Sequence, residues 1–124
     1  MLQIVFNEVS AAELSQLPTP VQFQLLEALN LGPEDFNEEV LGRRFGVMQS
    51  SKGLKLYRCR AEDYRIYFAM KGDHVVVHRV LHRNSLKDFL FRSNLPGGGE
   101  DEALSQSSRF WKLIDEGART LRAF

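Results

Sequence analysis

With 124 residues, the chain is long enough for one domain with a modest core. Its 44% apolar and 26% charged residues are ordinary for a globular chain, and no apolar run approaches the ~20 residues of a membrane span. Sixteen basic and sixteen acidic side chains cancel overall, but residues 1–40 carry seven acids and no Lys or Arg, whereas 41–92 carry twelve bases and four acids. This partition points to a polyanion or acidic partner meeting one face, or to acidic helices complementing a basic sheet. The opening residues show no basic stretch and no small-residue cleavage pattern, so a secretory leader is not expected. The single Cys59 allows no internal disulfide. Both readings fit a cytoplasmic setting.

Gln3–Phe6 reads as a first strand. Ser10 and Glu13 have capping-box spacing for a short helix to about Leu17, and Thr19 and Gln22 repeat it after Pro18. Val21, Leu25, Leu26 and Leu29 recur at helical spacing, so an αα-hairpin with a buried stripe is expected. Residues 33–53 are irregular, with a helical turn or two between Glu34 and Leu41. Three strands follow at Leu54–Arg60, Tyr64–Lys71 and His74–His82, the last two joined by a Gly72-Asp73 turn. Residues 84–92 read as a short helix or terminal strand. The pattern predicts an α+β domain over 1–95, with the helices on one face of an antiparallel sheet. Residues 96–124 read as a Gly-rich linker and an amphipathic helix. The helix carries Phe110, Trp111, Leu113 and Ile114 on one stripe, either docked back on the sheet or bound to a partner.

Side chains alternate faces along a strand. In Tyr64–Lys71 the apolar set Tyr64, Ile66, Phe68 and Met70 should face the helices, which turns Arg65 and Tyr67 to the open side. Arg58 and Arg60 share a face. In the third strand, parity does not decide whether Arg79 and Arg83 or the histidines face outward. Arginines offer paired donors to phosphate oxygens, and tyrosine adds stacking, a combination suited to single-stranded RNA. Arg58, Arg60, Arg65, Tyr67, Arg79 and Lys55 are the candidate RNA-binding residues. A solvated face laced with ion pairs to Glu62 and Asp63 is the plainer alternative. His78 and His82 lie ~13 Å apart along a strand, too far to share an ion, so no metal or other cofactor is expected. His82, beside Arg83, is a candidate for proton transfer.

Residues 3–92 resemble the RelE/ParE superfamily of toxin-antitoxin toxins. The resemblance rests on Ile4–Phe6, Ala11–Pro18, Val21–Leu29, the Leu56-Tyr57-Arg58-Cys59-Arg60 strand, Asp63-Tyr64-Arg65-Ile66, Val75–Val80 and His82-Arg83. It implies a RelE-like fold. In the RelE branch it implies metal-independent cleavage of ribosome-bound mRNA, with Arg65 and Arg83 catalytic and Arg58 and Arg60 holding phosphate. The ParE branch implies action on a topoisomerase. The tyrosine expected six residues after Arg83 is Phe89, which cannot carry a proton. Tyr67 or His82 would have to replace it. The neutral overall charge also departs from the basic character of such toxins. The function expected is therefore a toxin-like but non-toxic regulator of RNA metabolism or translation that binds RNA, the ribosome or an RNA-processing protein. The alternatives are an mRNA interferase and a ParE-like inhibitor. Such toxins are neutralised by an antitoxin helix, and the Phe110–Ile114 stripe is a candidate to occupy the same kind of groove in cis.

Overall fold

The alternation in residues 54–82 delivers the centre of the sheet almost where the sequence places it. The computed structural model describes residues 3–35, 37–50, 52–87 and 100–119. In chain order these form β1 (Gln3–Phe6), α1 (Glu8–Ser15), α2 (Thr19–Ala28), a 3₁₀ turn (Pro33–Asp35) and α3 (Glu38–Arg44). Then come β2 (Gly46–Gln49), β3 (Lys55–Ala61), β4 (Tyr64–Lys71) and β5 (His74–His82). A helical segment over 83–87 (α4), α5 (Glu100–Ser105) and α6 (Ser108–Ala118) complete the described chain. No helix among the described residues is long and apolar enough to cross a membrane. Phe89 and most of the Gly-rich linker lie outside the described residues.

The five strands run in the order β1-β5-β4-β3-β2. The sheet is mixed rather than purely antiparallel, because β1 pairs parallel to β5, from Gln3 opposite His74 to Phe6 opposite Val77. The remaining pairs are antiparallel. One layer matches the expected helical side. Val21 and Leu25 of α2, with Leu29 just past its end and Leu41 and Phe45, pack on Tyr57, Cys59, Ile66, Phe68, Val75, Val77 and Val80. Phe68 meets Phe45 edge-on at 5.1 Å and stacks on Tyr57 at 5.6 Å. Each fully buried side chain of this size contributes about 1.5–3 kcal/mol.

The opposite face is not open, which corrects the one-sided arrangement. Leu104, Phe110 and Ile114 of α5 and α6 bury Met48, Leu56, Tyr67, Ala69 and Leu81. Phe110 meets the Tyr67 ring edge-on at 4.9 Å. Of the two readings of the stripe, docked back on the sheet or bound to a partner, the structure has the first: Phe110 and Ile114 are buried, and Trp111 and Leu113 pack against them half-buried. Apolar side chains on both faces of β3, β4 and β5 make this cover part of the folded unit rather than an accessory to it.

Beyond Phe6, α1 takes over the outer edge of β5. Asn7 Nδ2 donates to the His78 carbonyl at 3.0 Å, Ser10 Oγ donates to the Val77 carbonyl at 2.8 Å, and Val80 N–H donates to Glu13 Oε1 at 3.0 Å. The spacing of 7, 10 and 13 presents one face of α1, so side chains satisfy backbone groups that no strand reaches. The helix is capped by Asn7, whose Oδ1 accepts from Ser10 N–H at 2.7 Å while Ser10 Oγ accepts from Asn7 N–H at 3.0 Å. The expected box of Ser10 with Glu13 is thus shifted by one turn, because Glu13 is engaged with β5. The second expected box is absent: Pro18 occupies the cap position of α2 and offers no side-chain hydrogen bond.

Candidate functional site

β2 begins at Gly46, opposite Arg58, while β3 continues to Ala61. Past the start of β2, a recess of about 430 Å³ opens between β3 and the ends of α2 and α3. Arg44, Arg58 and Arg60 line it, with Ala28, Phe45, Gly46 and Cys59 forming the wall. Arg58 and Arg60 share one face of β3 and Cys59 lies on the other, so the recess takes its lining from both faces along the strand edge that β2 leaves uncovered. Arg44 reaches it from the last turn of α3, where a cation also suits the helix C-terminus. The Arg44 guanidinium lies 5.3 Å over the Phe45 ring, 3.6 Å from the Asp35 carboxylate, and donates to the Ala28 carbonyl at 3.4 Å. Arg58 is half-buried and Arg60 exposed.

The register sets Arg65 directly opposite Arg60. Like charges in that relation destabilise a sheet, so the pair is not explained by strand pairing. Arg65 Nη1 donates to the Glu62 and Tyr64 carbonyls, both at 3.1 Å, which holds the side chain over the hairpin turn. Arg83 starts α4 at the same end of the sheet. Its N–H donates to the Asp63 carbonyl at 2.8 Å, and its Nε lies 3.5 Å from the Asp63 carboxylate. The structure therefore brings Arg58, Arg60 and Arg65 onto one face and Arg83 to the same end.

Other expected residues are placed elsewhere. Tyr67 is fully buried beneath Phe110, so its ring has no face for a base and its hydroxyl no access to substrate. Arg79 is bound to Glu13 through three hydrogen bonds of 2.8–3.1 Å and donates to the Leu113 carbonyl at 3.1 Å, tying β5 to α1 and α6. Lys55 sits on the other face of β3, 3.4 Å from Glu38 and 6.0 Å from the Tyr57 ring centre. His82 Nδ1 accepts from Asn84 N–H at 3.1 Å, which assigns the ring proton to Nε2. The ring meets Tyr64 edge-on at 5.1 Å beside a smaller recess of about 280 Å³ that Gln16 and Ser85 also line.

Burial pushes the Cys59 thiol up, and nearby Arg44 and Arg58 offset this only in part. The thiol stays protonated and is a wall of the recess rather than a nucleophile. Among the described residues, no three His, Cys, Asp or Glu side chains converge as a metal site would need. What the recess offers is guanidinium donors in a concave setting, where planar N–H pairs meet phosphate oxygens.

Sequence reading missed Arg44 as a lining residue of the arginine recess and Tyr64 as one of the smaller recess beside His82. Arg44 follows Arg43 at a helix end, and nothing local says which of the two points at β3. Tyr64 belongs by parity to the inward set, but it stands at the strand end and is only half-buried. Comparison with family models, curated proteins and solved structures finds no match to the chain.

Proposed function

We propose that the protein binds RNA through its phosphate backbone at the arginine recess and acts as a non-cleaving regulator of RNA metabolism or translation. The observation that carries this reading is the convergence of Arg44, Arg58 and Arg60, from two separated segments, on one recess. The resemblance to RelE/ParE toxins supports it from the sequence side, since Arg58 and Arg60 fall at that family's phosphate-binding positions. Binding is favoured over cleavage by three residues. Phe89 has no hydroxyl. Tyr67 is fully buried. His82 has its Nδ1 occupied by a backbone N–H.

The test is fluorescence anisotropy of a labelled single-stranded RNA over a salt series. Each phosphate contact to a single strand contributes about 0.7 to the slope of log affinity against log salt. Arg58→Ala and Arg60→Ala should each weaken binding and flatten the slope by roughly that amount. Arg43→Ala, which removes a side chain paired with Glu39 on the exposed side of α3, should leave it unchanged. Unaltered slopes in folded Arg58 and Arg60 variants would refute the site. Cleaved RNA in the same samples would refute the non-cleaving part.

A further inference from the structure

A second cavity, of about 490 Å³, lies where the end of β2 meets the junction of α5 and α6. Gln49, Ser50, Ser105, Gln106, Ser108 and Trp111 line it. Among the described residues that line it, none carries a charge. Among the described residues, the side-chain carboxamides of Gln49 and Gln106 have no hydrogen-bond partner, and both residues are exposed. Ser50 is held in place by its own turn, its Oγ accepting from Leu54 N–H at 3.0 Å.

Trp111 is fixed. Its Nε1 donates to the Ser105 carbonyl at 2.7 Å, and its ring meets Phe110 edge-on at 5.4 Å. With the N–H satisfied, the part of the indole that faces the cavity offers only aromatic surface. A preformed aromatic ring flanked by two unengaged carboxamides selects a neutral, planar ligand with hydrogen-bonding edges. A carboxamide presents a donor and an acceptor side by side in one plane. That matches the coplanar donor and acceptor of a base edge, adenine above all, better than the diverging hydroxyls of a sugar.

We infer that this cavity is a nucleobase-binding site, with Trp111 as the stacking ring and Gln49 and Gln106 reading the base edge. The inference deepens the RNA-binding reading and rests on it. Gln49 and Gly46 are the two ends of β2, so the cavity and the arginine recess are separated by roughly 10 Å of strand. One extended strand can lay phosphates on the arginines and a base on Trp111.

Trp111 is the only tryptophan in the chain, so its emission reports on this cavity alone. The probe is adenosine, which lacks phosphate and has nothing to offer the arginine recess. Adenosine should quench Trp111 saturably, and Gln49→Ala and Gln106→Ala should each weaken it about tenfold. Arg60→Ala should leave it intact. No saturable quenching at millimolar adenosine would overturn the inference. So would quenching indifferent to both glutamine changes, or a response to glucose but not to adenosine. Loss of RNA binding with adenosine quenching retained sinks the backbone site alone. Loss of quenching with RNA binding retained sinks the base site alone.

Discussion

Gly117 tests whether the C-terminal helices are seated as described. A Cβ built there would stand 2.9 Å from the His78 carbonyl oxygen, 3.0 Å from Asn7 Nδ2 and 3.2 Å from Arg79 Cδ. The first of these is backbone and cannot rotate away. The second is the amide that donates to that same carbonyl. In a helix interior, Gly→Ala ordinarily stabilises by about 1 kcal/mol. Overpacking costs about 1–3 kcal/mol. Displacing Asn7 and leaving a buried carbonyl unsatisfied costs about 1–3 kcal/mol more. The unfavourable terms win, and Gly117→Ala should destabilise by about 1–5 kcal/mol. Gly42→Ala in α3 is the matched control. Its nearest neighbour would be Val47 Cγ2 at 3.7 Å, an ordinary contact, so the helix gain should appear undiminished. Urea unfolding followed by circular dichroism reads both, with 1 kcal/mol corresponding to roughly 3–5 °C in a parallel melt. If Gly117→Ala stabilised as much as Gly42→Ala, α6 would not be seated on β5. The burial of Phe110 and Ile114 would then fall with it.

Two further predictions concern stability. His78 is 3% exposed, with both ring nitrogens buried and lacking hydrogen-bond partners, and burial aided by the Lys71 charge lowers it to about 4. The unfolded chain takes up this proton near pH 6.5 and the folded chain does so only near 4. Stability is therefore intact above 6.5 and falls as pH drops through that window, by about 3 kcal/mol at most. His78→Leu should flatten the profile between pH 4.5 and 7, and an unchanged slope would show that another group is responsible. Glu62 adopts φ +54° in the β3–β4 turn, a conformation that asparagine tolerates far better. Glu62→Asn should stabilise by about 0.5–1 kcal/mol, since the bond that Arg65 Nη1 makes to residue 62 goes to its backbone carbonyl and survives the change; an unchanged melting midpoint would mean the turn is unstrained.

The meander was legible because its signals are local: alternation in β4, the Gly72 turn with φ +59°, and valines in β5. β2 was not, because four residues with one buried side chain show no period and gain their pairing only from β3. Parity failed along β5 for a physical reason. Tyr67 pairs with Arg79 but Phe68 with Val77, and the extra residue, His78, lets Val75, Val77 and Val80 all face the same core. A bulge of this kind leaves no mark in an alternation pattern. The covered second face did leave one. Leu56 and Leu81 share the face of Arg58 and Arg65 by pairing and parity, and apolar residues there required something to bury them. The site was half legible: three arginines followed from alternation, but the recess depends on where β2 begins and on how α3 approaches it.

The double-sided core also sets an order of events during synthesis. β5 ends at His82, and Ile114 follows only 32 residues later. At about 5–20 residues per second, the ribosome takes on the order of 2–6 s to add that stretch. For that interval the sheet can assemble with α2 already docked, but Leu56, Tyr67 and Leu81 have nothing above them. The nascent domain thus passes through a half-clad stage whose apolar face is a target for chaperones or for neighbouring nascent chains. Slowing translation between codons 83 and 110 would lengthen that exposure and lower soluble yield without changing a single residue.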